Sequence, residues 1–229
     1  MNILKKVAFD LYKRTMAKQA KVISIKIWEP GKMYEVDIHI PDVDVSRWDQ
    51  VQHMKCQVAE YIYRDYTPAN WNAAERTCTL YIEVGHDGPG SRWTRNLEVG
   101  DIFSFGVANV GKKPSGSGRF LCLTDGSGLG HYLALRQLSS ASNSSDAVVF
   151  LHHKYKLPAS SLPANIDFLS CEDGDFQDEI LEWCWSKRLD SYEFIYMIGQ
   201  VPKVATLRKA LKSSDLLYAK KLYAIGFWS

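Results

Sequence analysis

Net charge is nearly absent from this sequence: 28 Lys+Arg stand against 26 Asp+Glu in 229 residues, a formal +2. A nucleic-acid binder carries a basic footprint, so a whole-protein surface of that kind is excluded, and any attraction for an anion must come from a local patch. Cysteine is scarce and poorly spaced for chemistry. Cys56, Cys78, Cys122, Cys171 and Cys184 are odd in number and form no CxxC pair, which argues against a zinc, disulfide or iron–sulfur framework. Cys78, Cys122 and Cys171 sit in apolar, strand-like runs and read as small buried hydrophobes. No third ligand accompanies His152 and His153, or His53 and Cys56, at a workable spacing, so no metal centre is expected. Residues 1–21 carry lysines throughout and no continuous apolar stretch, which argues against a signal peptide or a membrane span. With reduced thiols, this points to the cytoplasm. No nucleophilic triad and no internal repeat are evident. The remaining composition, 46% hydrophobic and 24% charged, is ordinary for a globular protein, and the length suits one large domain or two small ones.

The pattern of what is present changes along the chain. Ile3, Leu4, Val7, Leu11 and Met16 recur at helical spacing and predict an amphipathic helix over 2–17, packed on the outside of its domain. From Lys21 to about Asn109 the texture is strand-like. Val22–Trp28 stops at Glu29-Pro30-Gly31, and Tyr34–Ile40 alternates with period two up to Pro41. Tyr61–Tyr63, Thr77–Val84 and Ile102–Phe105 supply further strands. Connections too short for crossovers predict an antiparallel β-barrel. Gly111–Gly118 is the expected domain boundary, separating residues 1–112 from 119–229. Beyond it, strands at Phe120–Leu123, Ala147–Leu151, Ile166–Ser170, Glu193–Ile198 and Leu222–Phe227 alternate with helices at His131–Leu138, Phe176–Lys187 and Val204–Leu211. Strands alternating with helices predict a parallel α/β sheet.

Two segments of the first half carry possible chemistry. In Arg64-Asp65-Tyr66-Thr67, strand periodicity places Arg64 and Tyr66 on one face, offering a forked cation and an aromatic ring side by side. By themselves these four residues read first as a surface arginine beside a half-buried tyrosine on an edge strand. Pro68 is expected to end that strand. In Gly88-Pro89-Gly90-Ser91-Arg92-Trp93 the glycines permit close backbone approach. Ser91 is expected to cap the following turn, whose exposed N–H groups favour an anion; the plain alternative is a loop-to-helix junction. Trp93 reads as core packing. In the second half, Asp125-Gly126-Ser127-Gly128-Leu129-Gly130 follows a strand and opens a helix, a place for a dinucleotide to meet a helix N-terminus.

Taken in order, Arg64-Asp-Tyr-Thr-Pro, Val84-Gly-His-Asp-Gly-Pro-Gly-Ser-Arg-Trp93 and Val99-Gly-Asp101 resemble the siderophore-interacting protein family. These are FAD-dependent ferric-siderophore reductases of the ferredoxin-NADP+ reductase-like superfamily. Ile198-Gly-Gln200, Thr206-Leu-Arg-Lys-Ala-Leu211 and Ile225-Gly-Phe-Trp228 extend the resemblance over nearly the whole chain. It implies an FAD-binding barrel followed by an NAD(P)H-binding α/β domain in a monomer that meets neither nucleic acid nor membrane. NAD(P)H would reduce the flavin, and the flavin would reduce Fe(III) in a siderophore. Arg64 would bind the FAD phosphate, Tyr66 would stack on the isoalloxazine and Thr67 would bond near its reactive nitrogen, making Tyr66 and Thr67 the catalytic pair. The amides of Gly88, Gly90 and Ser91 would hold the diphosphate. His86 stands at the family's His-Gly position, with Asp87 interposed, as a structural histidine or a cofactor contact. Asp125, Ser127, Gly128 and Gly130 would line the NAD(P)H turn, although Gly130 stands where a proline is common and Gln200 where glutamate is usual. Lys154 and Lys156 are candidates for a 2′-phosphate, each reading first as a solvated lysine, and Arg208 is equally a surface residue. Lys55, Lys220 and Lys221 are candidates for a basic rim that receives an anionic ferric chelate. Phe227 and Trp228 would either shield the flavin or finish a strand. Two rival functions stand beside this one: a flavin reductase serving a separate redox protein, and a non-enzymatic flavin- or chelate-binding module.

Overall fold

The computed structural model describes residues 18–111, 113–114, 118–139, 143–151, 155–156, 162–170, 176–187, 189–213 and 221–228. The helix expected over 2–17, together with His152, His153, Lys154, Cys171 and Lys220, lies outside the described residues. The chain divides into two units, Met1–Ile27 with Gly31–Gly111, and Trp28–Pro30 with Lys112–Ser229.

Among the described residues, the first unit is a seven-stranded antiparallel sheet that carries a short α-helix and a 3-10 turn over Val45–Arg47. Its strands are β1 (Lys18–Trp28), β2 (Met33–His39), β3 (Val51–Ala59), β4 (Ile62–Tyr66), β5 (Pro68–Asn72), β6 (Thr77–Glu83) and β7 (Ile102–Gly111), with helix α1 (Pro89–Arg95) between β6 and β7. The spatial order β4-β3-β7-β1-β2-β6-β5 places β4 and β5 on opposite edges. Yet only Thr67 separates them in the chain. Strands lie about 4.8 Å apart, so a flat sheet of this order would hold its edges roughly 29 Å from each other. One residue spans about 3.5 Å. The sheet must therefore curl until its edges meet, and Thr67 sits at that closure. Inside, Val36, Ile38, Met54, Cys56, Leu80, Ile82 and Phe105 form one buried core.

Two of these strands were not expected. In β3 the period-two signal of Met54, Cys56 and Val58 is diluted by polar neighbours and by residues of weak strand propensity. In β5 the leading Pro68 reads as a stop; the chain instead resumes pairing at once, because proline is tolerated as the first residue of an edge strand. Pro68 faces Leu80 of β6.

The second unit contains β8 (Phe120–Asp125), a 3-10 turn over Gly126–Gly128, α2 (Leu129–Leu138), β9 (Ser145–Leu151), β10 (Ile166–Ser170), α3 (Phe176–Ser186), β11 (Phe194–Gln200), α4 (Val201–Ser213) and β12 (Lys221–Trp228). All pairings are parallel, in the order β10-β9-β8-β11-β12. Every residue of β8 is buried, as expected when helices cover both faces of a parallel sheet. The chain moves outward from β8 through β9 to β10, then returns to lay β11 on the other side of β8. Ligands of open α/β sheets bind at such a reversal, at the carboxyl ends of the strands. Helix α4 starts three residues earlier than its apolar spacing predicts, with Pro202 in the first turn, where its missing N–H costs no helical bond. No described helix is long and apolar enough to cross a membrane.

Candidate functional site

In the first unit, β3 pairs with β4 so that Arg64 faces Cys56 and Tyr66 faces Met54. Cys56 and Met54 are wholly buried, and directly opposed residues share a face, so Arg64 and Tyr66 leave β4 on its core side. Tyr66 packs against the core. The exposed Arg64 donates from Nη1 to the Tyr63 carbonyl at 2.8 Å. Helix α1 lies against β3, β4 and β6 and brings the second motif to the first. A Cβ placed on Gly90 would stand 2.7 Å from the Tyr66 hydroxyl and 3.2 Å from Arg64 Cγ. Only a residue without a side chain lets the helix and β4 approach this closely.

The chemistry of this corner lies in its hydroxyls. Thr67 is 7% exposed and Ser91 2% exposed, and neither side-chain oxygen has a hydrogen-bond partner. Burying a hydroxyl without a partner costs roughly 1–3 kcal/mol, and folded proteins leave few such groups. Ser91 does not cap the helix as expected. Gly88 is the N-cap residue and makes no side-chain cap bond, while Ser91 occupies the third helical position. The first helical bond runs from the Arg92 N–H to the Gly88 carbonyl, 2.9 Å, so the amides of Gly90 and Ser91 stand outside the ladder. Tyr66 is hydrogen-bonded to Thr94, and burial pushes its phenol well above the usual range. The Thr94 hydroxyl donates to the Gly90 carbonyl at 2.9 Å. Tyr66 also stacks on Trp93, with ring centroids 5.8 Å apart and planes 21° from parallel. Trp93 packs against the core as expected; its stacking on Tyr66 and the Thr94 bond were not anticipated, since neither residue type announces such a contact.

His86 is exposed and lies beside Gly88. The interposed Asp87 binds Arg92 at 2.9 Å and Arg95 at 3.2 Å. These exposed pairs contribute little energy, but they tie the turn back onto α1. Lys55 faces Asp65 across the β3–β4 pair, on the opposite face of the sheet from Arg64 and Tyr66, so it does not join their site.

In the second unit, Asp125 closes β8 at the strand reversal and is 3% exposed. Its carboxylate accepts from the Ser127 N–H at 3.0 Å, from the Ser127 hydroxyl, and from the Gln200 N–H at 3.0 Å. Burial raises its pKa, and these donors partly offset the rise. Gly199 has φ +137, and a side chain there would strike the Asp125 carboxylate. Ser127 is further engaged by the Trp228 indole, whose Nε1 donates to Ser127 Oγ at 3.3 Å. Asp125 and Ser127 thus bond internally. Gly128 is the N-cap of α2 and packs against Thr124 and Ile198, and Gly130 is buried in the first turn. Phe227 lies 5.7 Å from His131, and both Phe227 and Trp228 finish β12. Lys221 begins β12, at the amino end of the parallel sheet and away from this turn, where it meets Glu193 at 3.7 Å and the Phe194 ring at 5.0 Å. Lys156 pairs with Glu29 at 3.9 Å, and Arg208 is exposed on α4.

An antiparallel barrel followed by a parallel α/β unit with its reversal at β8 and β11 is the two-domain fold of ferredoxin reductase-like proteins. Comparison with solved structures gives the particulars. The chain is similar to the siderophore-interacting protein of Acinetobacter baumannii, with 17% identity, a TM-score of 0.71, and coverage of 93% of this chain and 90% of that one. It is similar to the siderophore-interacting protein of Aeromonas hydrophila at 14% identity and TM-score 0.70, covering 93% and 91%. A variant of ferredoxin-NADP+ reductase from Plasmodium falciparum matches at 15% identity and TM-score 0.68, covering 92% and 95%. No protein-family model matches the chain, and no curated protein matches it in sequence. At these identities the likeness establishes the fold.

Proposed function

We infer that this chain is a flavin-dependent oxidoreductase that takes electrons from NAD(P)H and passes them to Fe(III) held in a siderophore, releasing Fe(II). The observation that carries the reading is the pair of buried, unpartnered hydroxyls, Thr67 at the barrel closure and Ser91 in α1. They belong to segments that Gly90 brings into contact through Tyr66 and Arg64. The donor set fits FAD. Thr67 would bond the ring, Tyr66 would present its face, Arg64 would pair with phosphate, and the free amides of Gly90 and Ser91 would hold the diphosphate. When bound, the flavin supplies the redox chemistry, accepting a hydride and releasing electrons singly.

What remains for the protein is placement and electrostatics. Tyr66 stays a neutral phenol, because burial holds its pKa high, so it brings no competing negative charge to the site. Thr67 offers a hydroxyl that can either donate or accept. The acceptor we assign is a small ferric chelate, met by a monomer in the cytoplasm; the motif resemblance and the fold of the similar structures support this choice.

One observation favours a second reading. With Asp125 and Ser127 engaged by each other, by Gln200 and by Trp228, the turn that would receive NAD(P)H offers fewer free groups than the barrel offers FAD. This suits a flavin-binding module with weakened nucleotide use. Two measurements on the purified protein separate the readings. Bound flavin gives visible absorption, and NADH and NADPH oxidation is then followed with ferric-siderophore acceptors and with protein acceptors. Rapid turnover with the chelate supports the first reading. A flavin that stays oxidised with both nucleotides supports the second, preference for a protein acceptor makes the chain a reductase for a redox partner, and absence of flavin binding overturns all three.

A further inference from the structure

We propose that Trp93 is a positioning residue that fixes the plane of Tyr66 and so sets how strongly the barrel grips a flavin ring; this rests on the flavin reading above. Three rings form a graded stack from the core outward. Phe103 is buried and meets Trp93 edge-on, with centroids 5.1 Å apart and planes at 85°. Trp93 then lies nearly parallel to Tyr66 at 5.8 Å. The edge-on contact resists sliding of the indole, and the parallel contact resists rotation of the phenol. The hydroxyl end of Tyr66 is held independently by its bond to Thr94 and by the close passage of Gly90.

A tyrosine ring otherwise turns about its χ2 bond in a broad well. Here one face is covered by the indole and the hydroxyl end is anchored, so a planar ligand can stack only on the opposite face. That face is oriented before any ligand arrives, and preorganisation of this kind raises affinity by lowering the ordering cost of binding. An offset aromatic pair contributes enough to change the binding of a stacked ring by about three- to tenfold. The phosphate-binding groups, Arg64 and the α1 amides, do not depend on the plane of Tyr66. Ring affinity and phosphate affinity should therefore respond differently to loss of Trp93.

The test uses the full chain freed of flavin. Lumiflavin, which has the ring but no phosphate, and ADP, which has the diphosphate but no flavin ring, are titrated separately into wild type, Trp93→Leu and Trp93→Phe. Visible circular dichroism of bound FAD is recorded in parallel. Trp93→Leu is expected to weaken lumiflavin about three- to tenfold and to change the flavin dichroism, while ADP binding stays within about twofold. Trp93→Phe restores a stacking face and brings lumiflavin back to within about twofold of wild type. Unchanged lumiflavin affinity and dichroism in Trp93→Leu overturn the proposal. Equal losses for lumiflavin and ADP also overturn it, since they show a general packing role. If Trp93→Leu does not fold, Trp93→Met, which fills a similar volume without a π-face, is read by the same criteria. A wild type that binds no flavin overturns the flavin reading itself, and that failure is visible before any variant is made.

Discussion

Replacing Thr67 by valine should strengthen the free protein and weaken its hold on flavin. Valine reproduces the shape of threonine and substitutes a methyl group for the hydroxyl. In the free protein that hydroxyl is buried and unpartnered, so removing it recovers roughly 1–2 kcal/mol of the penalty for an unsatisfied polar group. For a unit of this size, such a change raises the thermal midpoint by about 4–8 °C. With flavin bound, the balance reverses. The wild-type hydroxyl is then satisfied, while the variant leaves a polar group of the ligand facing a methyl, so FAD affinity should fall about five- to thirtyfold. The assay is thermal unfolding of wild type and Thr67→Val with and without saturating FAD, together with a direct titration of FAD. A variant less stable than wild type without flavin, or equal FAD affinities, would refute the reasoning that Thr67 is an unpaired group kept for a ligand.

Four further outcomes are expected. Arg64→Ala should cut FAD affinity at least tenfold, as loss of a charge-assisted bond does, with the thermal midpoint of the free protein unchanged, because the exposed guanidinium stabilises little else; equilibrium dialysis of FAD checks it. Gly90→Ala should lower both stability and flavin content, since its methyl would meet the Tyr66 hydroxyl at 2.7 Å; urea unfolding and the absorbance ratio of purified protein measure the two effects. Asp125→Ala leaves the partly buried Gln200 and Ser127 amides without their acceptor and should destabilise the second unit by about 1–3 kcal/mol, read from the urea midpoint. The Tyr66 phenol has its pKa raised by burial. Its contribution to stability is therefore fully present below the unfolded value, near 10, and is lost as the pH rises above that. The urea midpoint should fall above about pH 10, and Tyr66→Phe should flatten that fall.

The legibility of the sequence differed between the two units for a physical reason. Parallel strands buried on both faces need only be apolar, so Phe120–Leu123, Ala147–Leu151 and Glu193–Ile198 stand out as runs, and their alternation with helices already implies the sheet. Antiparallel strands of a closed barrel can be short and mixed. β3 hides its alternation behind Gln52, His53 and Gln57, and β5 opens with a proline that resembles a terminator. The candidate site follows the same division. Arg64, Tyr66, Thr67, Gly90 and Ser91 were legible as residue types suited to a ring and a diphosphate. The unpartnered hydroxyls of Thr67 and Ser91, the stacking of Trp93 on Tyr66 and the placement of Lys55 on the far face depend on which strands neighbour one another.

By itself, then, the order of residues determined where strands and helices run in the second unit, and which side chains could serve a flavin. Periodicity records which faces of a segment are buried, and that information is local. Tertiary structure alone decided that the two edges of the first sheet meet at Thr67, that Ser91 does not cap its helix, and that Ser127 is engaged by Trp228. These are matters of partner identity. The Trp228–Ser127 bond joins residues 101 positions apart, and the Gln200–Asp125 bond joins residues 75 apart. No local pattern encodes such a pairing, because it exists only once the strands that carry the two residues lie side by side.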